Sequence, residues 1–195
     1  MKGLTLNNGI NQLLFQVCYF ACILGAANGH LWPGFVALGL LGLWQLAPSR
    51  RHPADIPVVF LALFVGAIVD STWVISGLAA YSLAWPSSEL APAWILFLWM
   101  AFALTINHSL GFFSGRPWLT AVFFGLGSPL SFYFGSRVGA VQWLAPEVVV
   151  IVVLGLSWAM LIPALFAFSR FWTGFSNTQT LPEAAAAGVI DESID

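Results

Sequence analysis

The chain has 195 residues, 59% of them hydrophobic and only 7% charged, with a formal net charge of −2 and a mean hydropathy of +0.89. A soluble domain carries about 25% charged residues, so this composition cannot coat a water-facing surface, and lipid is the solvent for most of the chain. The slight acidic balance leaves no basic stripe to meet a phosphate backbone, which excludes a nucleic-acid partner.

A helix that crosses the hydrocarbon core needs about 20 mainly apolar residues. That ruler places spans near 10–29, 33–47, 56–80, 92–113, 118–139 and 148–168. In the first, Ala21, Gly25 and Gly29 recur every four residues, the spacing that lets helices approach closely in lipid. Cys18 and Cys22 share a face there and read as small packing residues, since a free Cys behaves as a small apolar side chain. Lys2, the apolar run and Gly25-Ala26-Ala27 resemble a signal peptide, but the lone lysine and Gln16 favour a retained span. Asn28-Gly29-His30 with Trp32-Pro33 forms a turn into the short second span.

Pro48-Ser49-Arg50-Arg51-His52-Pro53 is a polar loop before the third span, which carries Asp70 with Gly66, Trp73 and Gly77 on its face. Trp85-Pro86-Ser87-Ser88-Glu89 is the next loop, and the fourth span ends on Asn107-His108-Ser109. Gly127, Ser131, Gly135 and Gly139 repeat every four residues along the fifth span, and Pro129 interrupts it, so a kink is expected there. Beyond the sixth span, residues 171–195 read as an acidic, disordered tail. The apolar runs are continuous, whereas membrane strands alternate, so the expected fold is an all-α, polytopic transmembrane helical bundle of about six helices. Lys2, Arg50, Arg51, Arg116 and Arg170 all fall on one side of six spans and Arg137 on the other, which puts both ends of the chain in the cytoplasm.

An ionisable side chain within a span is a candidate for function, because burying it costs at least about 2.5–3.5 kcal/mol at the helix centre. Asp70 therefore reads either as a ligand, cation or proton site or as a structural carboxylate. Arg137 lies near the outer end of the fifth span, and Asn28, His30, Asp70 and Arg137 are the candidates for an outward-facing polar pocket. Asn107 and His108 form a second polar cluster toward the cytoplasmic side, where His108 is a candidate for a headgroup contact or a general base. Neighbouring residues on a helix point about 100° apart, so His108 and Ser109 do not form a nucleophile–base pair. The Cys and His spacing matches no metal site, no cofactor motif is present, and the hydrolase and nucleotide-binding signatures are absent. A rhomboid-type protease would need a histidine on a late helix, and the last two spans have none.

Leu13-Leu14-Phe15-Gln16, Cys22-Ile23-Leu24-Gly25-Ala26-Ala27, Asp70, Asn107-His108-Ser109-Leu110 and Gly127-Ser128-Pro129-Leu130-Ser131-Phe132-Tyr133 running to Gly135 and Gly139-Ala140 together resemble domain-of-unknown-function family 2878. The resemblance covers nearly all of the chain except its acidic tail. It implies a multi-pass protein of the bacterial inner membrane and no assigned activity, with a leaning toward membrane lipid metabolism. Three functions are therefore weighed. One is an enzymatic or accessory factor acting on lipid or another apolar substrate. Another is a transport component similar to the substrate-binding subunit of an energy-coupling transporter. The third is a non-catalytic scaffold or sensor. The expected partners are the lipid bilayer, a membrane protein, and a lipid or small-molecule ligand.

Overall fold

The computed structural model describes residues 6–191. Six helices follow in chain order: α1 (Leu6–Ala27), α2 (Trp32–Gln45), α3 (Asp55–Ile75), α4 (Ala93–Ala103), α5 (Pro117–Arg137) and α6 (Glu147–Asp191). Among the described residues three segments are long and apolar enough to cross a membrane: α1, α3 and the part of α6 from Glu147 to Ser176. The six expected spans thus become six helices of unequal reach. α2 stops at Gln45, and α5, though 21 residues long, is diluted by glycine, serine and proline.

The fourth expected span ends ten residues early, at Ala103 against 113. No glycine or proline stops it. Instead Thr105 Oγ1 donates to Phe102 O at 2.5 Å, and the amide of Asn11 takes the carbonyl of Leu104 at 3.0 Å. Side-chain bonds of this kind compete with the helical ladder. The chain then continues through turns and a short 3₁₀ turn, Gly111–Phe113.

The third span also ends early, at Ile75, because Gly77 takes a positive φ of 67° and turns the chain aside. Gly139, at φ 83°, does the same after α5. Each turn leads into a short strand, β1 (Ala79–Tyr81) and β2 (Val141–Trp143), paired antiparallel with Ala79 opposite Trp143 and Tyr81 opposite Val141. This ribbon is an addition to the all-α expectation. α6 continues through 171 as far as Asp191, past the start of the expected disordered tail. Its stretch Ala184 to Ala187 has high helix propensity. Of the acidic end, 192–195 lie outside the described residues.

α4 is apolar on every side, the pattern of a helix buried all round. It packs against α1, α2 and α3, and its Trp99 stacks on Trp158 of α6 with ring centroids 5.0 Å apart. Phe102 meets Phe124 of α5 and Trp158 edge-on. Lipid offers no hydrophobic drive between helices, so close packing and buried hydrogen bonds hold them together.

The small residues divide by task. Gly25 lies where a Cβ would come 2.6 Å from the carbonyl of His30, so it makes the α1–α2 turn possible, and Ala21 packs against the core. Ser131 bonds Tyr19 of α1 at 2.8 Å, and Gly135 faces Val141 of β2. Gly127 meets open space, while Gly29 and Gly139 are turn glycines. The tight α5–α6 contact belongs to Gly125 and Gly155, each lying against the other's carbonyl, with helix continuing on both sides of Pro129.

These placements predict opposite outcomes for two alanine substitutions. Gly155→Ala puts a methyl 2.9 Å from Gly125 O and is expected to destabilise the protein by about 1–3 kcal/mol. Gly127→Ala enters open space and gains up to about 1 kcal/mol from helix propensity. Detergent thermal unfolding checks both, and equal effects would show that α5 and α6 do not meet at this glycine pair.

Candidate functional site

The ends of α1, α2 and α3, a middle stretch of α6 and one turn meet at the end of the bundle that carries Arg50, Arg116 and Arg170. α3 begins there with Asp55, which is fully buried. Its Oδ1 accepts from Asn107 Nδ2 at 3.0 Å, and its Oδ2 accepts from the backbone N–H of His52 at 2.8 Å. His108 Nε2 lies 2.9 Å from Oδ2 and 3.1 Å from Oδ1. It is the one ion pair among the described residues when the imidazole is protonated.

The same ring nitrogen lies 2.9 Å from Gln45 Nε2, at the end of α2. Gln45 Oε1 in turn accepts from Asn11 Nδ2 of α1 at 2.8 Å. Ser109 Oγ donates to Asn11 Oδ1 at 2.6 Å, and Ser169 Oγ of α6 donates to Asn107 Oδ1 at 2.5 Å. Asn11, Gln45, Asp55 and Ser169 are all buried. The early end of α4 makes this convergence possible, because residues 105–109 leave the helix and turn their polar side chains toward four neighbours.

His108 keeps about 13% of its side chain exposed, and among the described residues its hydrogen bonds all run through Nε2 and none through Nδ1. The sealed polar atoms without a partner, among the described residues, are the indole nitrogens of Trp44, Trp143 and Trp158. Nδ1 is therefore open to the surface while Nε2 is held inside. Arg50 lies over the Trp44 ring at 3.8 Å, and Arg116 over the Phe112 ring at 4.0 Å. Such cation–aromatic pairs suit the interfacial layer of a bilayer.

The chain's comparison with known families adds one finding. A family described as a protein of unknown function, DUF2878, matches residues 8–164. The chain belongs to this family. It is a multi-pass protein of the bacterial inner membrane, as the family's members are. Neither a curated protein nor a solved structure matches it.

The family match includes both Asp55 and Asp70, and the structure gives them different surroundings. Asp70 is 1% exposed, and its two oxygens accept from Tyr81 of β1 at 2.5 Å and from the indole N–H of Trp99 at 2.7 Å. Arg137 is exposed and lines an open recess of about 510 Å³ with Tyr133, Gln142 and Glu147. Asn28 and His30 line another recess, of about 410 Å³ and largely apolar, between α1 and α2. Asn28 spends its amide on Leu24 O at 2.7 Å. The four residues considered for one outward pocket thus occupy three places.

Asn107 and His108 do come together, through Asp55. His108 and Ser109 turn to different partners, Asp55 and Asn11. Asp55, Asn11, Gln45 and Ser169 escaped the sequence reading. A signal existed for two of them: Asn11 and Gln45 are amides inside otherwise apolar runs. Fifteen residues of helix, about 22 Å, separate Asp55 from Asp70, so the two polar clusters are two sites.

Proposed function

We propose that this protein spans the inner membrane six times with both ends in the cytoplasm, and that Asp55 and His108 form a proton-transfer site for an amphiphilic substrate. The role is enzymatic or accessory, in membrane lipid or fatty-acid metabolism. One observation carries the reading: a buried carboxylate engages one nitrogen of His108, at 2.9 Å, and leaves the other open to the surface. An imidazole oriented in this way can pass a proton at its open nitrogen while Asp55 exchanges one at the held nitrogen.

Support for the cytoplasmic placement comes from Arg50, Arg51, Arg116 and Arg170 at this end. Support for an amphiphile comes from the setting. Beyond this polar network the helices present long apolar faces, so a substrate arriving along the interface reaches His108 before one that must cross lipid. The test is the membrane lipid profile of a strain lacking the protein, complemented with His108→Gln. Wild type is expected to restore the profile, and the variant to fail although present in the membrane at normal abundance. Full complementation by His108→Gln would overturn the reading.

A scaffold role is the second reading, favoured by the way the network joins α1, α2, α3, α6 and the 104–109 turn through buried and part-buried hydrogen bonds. That role predicts that loss of phenotype tracks loss of folded protein in every variant. The proton-transfer role predicts folded but inactive variants.

A further inference from the structure

We infer that Gln45, held in place by Asn11, decides where the proton of the Asp55–His108 pair rests: on Asp55, with His108 carrying its ring proton on Nδ1. The orientation of the amides follows from backbone groups that have a single role. Asn11 Nδ2 faces Leu104 O at 3.0 Å, which can only accept, and Asn11 Oδ1 faces the N–H of Ser109 at 3.4 Å, which can only donate. With Asn11 fixed, Gln45 must turn Oε1 toward Asn11 Nδ2, and its own Nε2 toward His108. The second hydrogen of that nitrogen points to Arg50 O at 3.4 Å.

His108 Nε2 is now asked for two things. Gln45 needs a lone pair there, and an ionised Asp55 would need a proton there, each at 2.9 Å. One ring nitrogen offers one or the other. A proton on Nε2 sets two N–H groups against each other at Gln45. A bare Nε2 facing an ionised carboxylate sets lone pairs against each other. Neither contact is repulsive when Nε2 is bare and Asp55 holds the proton, because the Gln45 N–H and the Asp55 O–H then both face its lone pair as donors and share it. Asp55 Oδ1 then still accepts from Asn107, and Oδ2 from the His52 N–H.

Among the described residues the pair's partners from α1, α2 and α6 are uncharged, and the ring of His52, beside Asp55, accepts from the Ala54 N–H at 3.3 Å through Nδ1. α1 presents Asn11 and α6 presents Ser169 through Asn107; Arg50 turns its guanidinium to Trp44, donating to Trp44 O at 3.2 Å. The 50–55 loop reaches the pair through the Arg50 carbonyl and the His52 N–H.

The consequence rests on the proton-transfer reading above. In the resting state His108 is a donor. Its Nδ1 proton passes to a basic atom of the substrate, the Asp55 proton passes to Nε2, and the pair is left as an ionised Asp55 and a neutral imidazole protonated on Nε2. That product state breaks the Gln45 bond, so Gln45 biases the site toward reloading. Gln45 is a positioning residue, since it acts through His108.

Nitrogen NMR of protein labelled at histidine, in lipid nanodiscs, tests this directly. Of the three histidines, His108 is assigned by its loss in His108→Gln. The wild type is expected to show Nε2 bare and Nδ1 protonated, with a protonated-carboxyl infrared band that disappears in Asp55→Asn. In Gln45→Met the major tautomer is expected to invert to Nε2–H. A wild type already protonated on Nε2 would overturn the inference and needs no variant. A folded Gln45→Met with the wild-type tautomer would overturn Gln45's part. These spectra are independent of the lipid profile. The expected tautomers with an unresponsive lipid profile would sink only the functional reading, and the converse only the inference.

Discussion

Gly66→Ala is expected to be among the most damaging single-methyl changes in this protein. The added Cβ would lie 2.4 Å from the Trp99 ring. That ring has nowhere to go, because it stacks on Trp158 and its N–H is bonded to Asp70 at 2.7 Å. Helix propensity favours alanine over glycine by about 1 kcal/mol, which works against the clash. Overpacking costs about 1–3 kcal/mol, and a displaced Trp99 would also leave Asp70 short of a donor, at about 1–3 kcal/mol more. The net loss is therefore about 1–5 kcal/mol. Thermal unfolding in detergent measures it, and the double variant Gly66→Ala/Trp99→Leu makes the room and should recover part of the loss. Wild-type stability in Gly66→Ala would mean that α3 and α4 are not in contact at this point.

Asp55→Ala is the second large effect. It removes the acceptor for Asn107 Nδ2 and for the His52 N–H, together with the partner of His108. A donor left unsatisfied away from water costs about 1–3 kcal/mol, so two such groups put the loss at about 2–6 kcal/mol. Asp55→Asn keeps one carbonyl oxygen and much of the shape, and is expected to lose clearly less. SDS titration of folded protein in mixed micelles separates the two, with the exposed Arg51→Ala as the control. If Asp55→Ala proved no worse than Arg51→Ala, the buried network would not be formed in the membrane.

The helices were legible in the sequence because hydropathy over 20 residues reports the solvent directly. The site was legible only in part, for reasons that differ by residue. Asn107 and His108 stood out as polar groups after an apolar run. Asp55 did not, because it sits beside Pro53 and two arginines, where a carboxylate reads as loop. Its burial comes with the 105–109 turn, whose Asn107 and His108 both bond it. No spacing rule encodes those contacts. Asp70 was visible, yet its donors were hidden, since Tyr81 and Trp99 count as apolar until their O–H and N–H find a buried acceptor. The early end of α4 had no breaker to announce it. Its cause is a side chain 93 positions earlier, Asn11, on the Leu104 carbonyl.

The shortness of α2 has a consequence for the bilayer itself. Its 14 residues extend about 21 Å, against a hydrocarbon core about 30 Å thick, and Phe35, Leu40 and Leu43 on its outer side are exposed. α3 and α6 cover the full thickness. On the six-span reading proposed above, the lipid on the α2 flank thins to meet the helix, which draws headgroups and water toward the end of α2 that carries Gln45. On that reading acyl-chain length becomes a variable of the site, since longer chains raise the strain on the flank where the proposed Asp55–His108 pair lies.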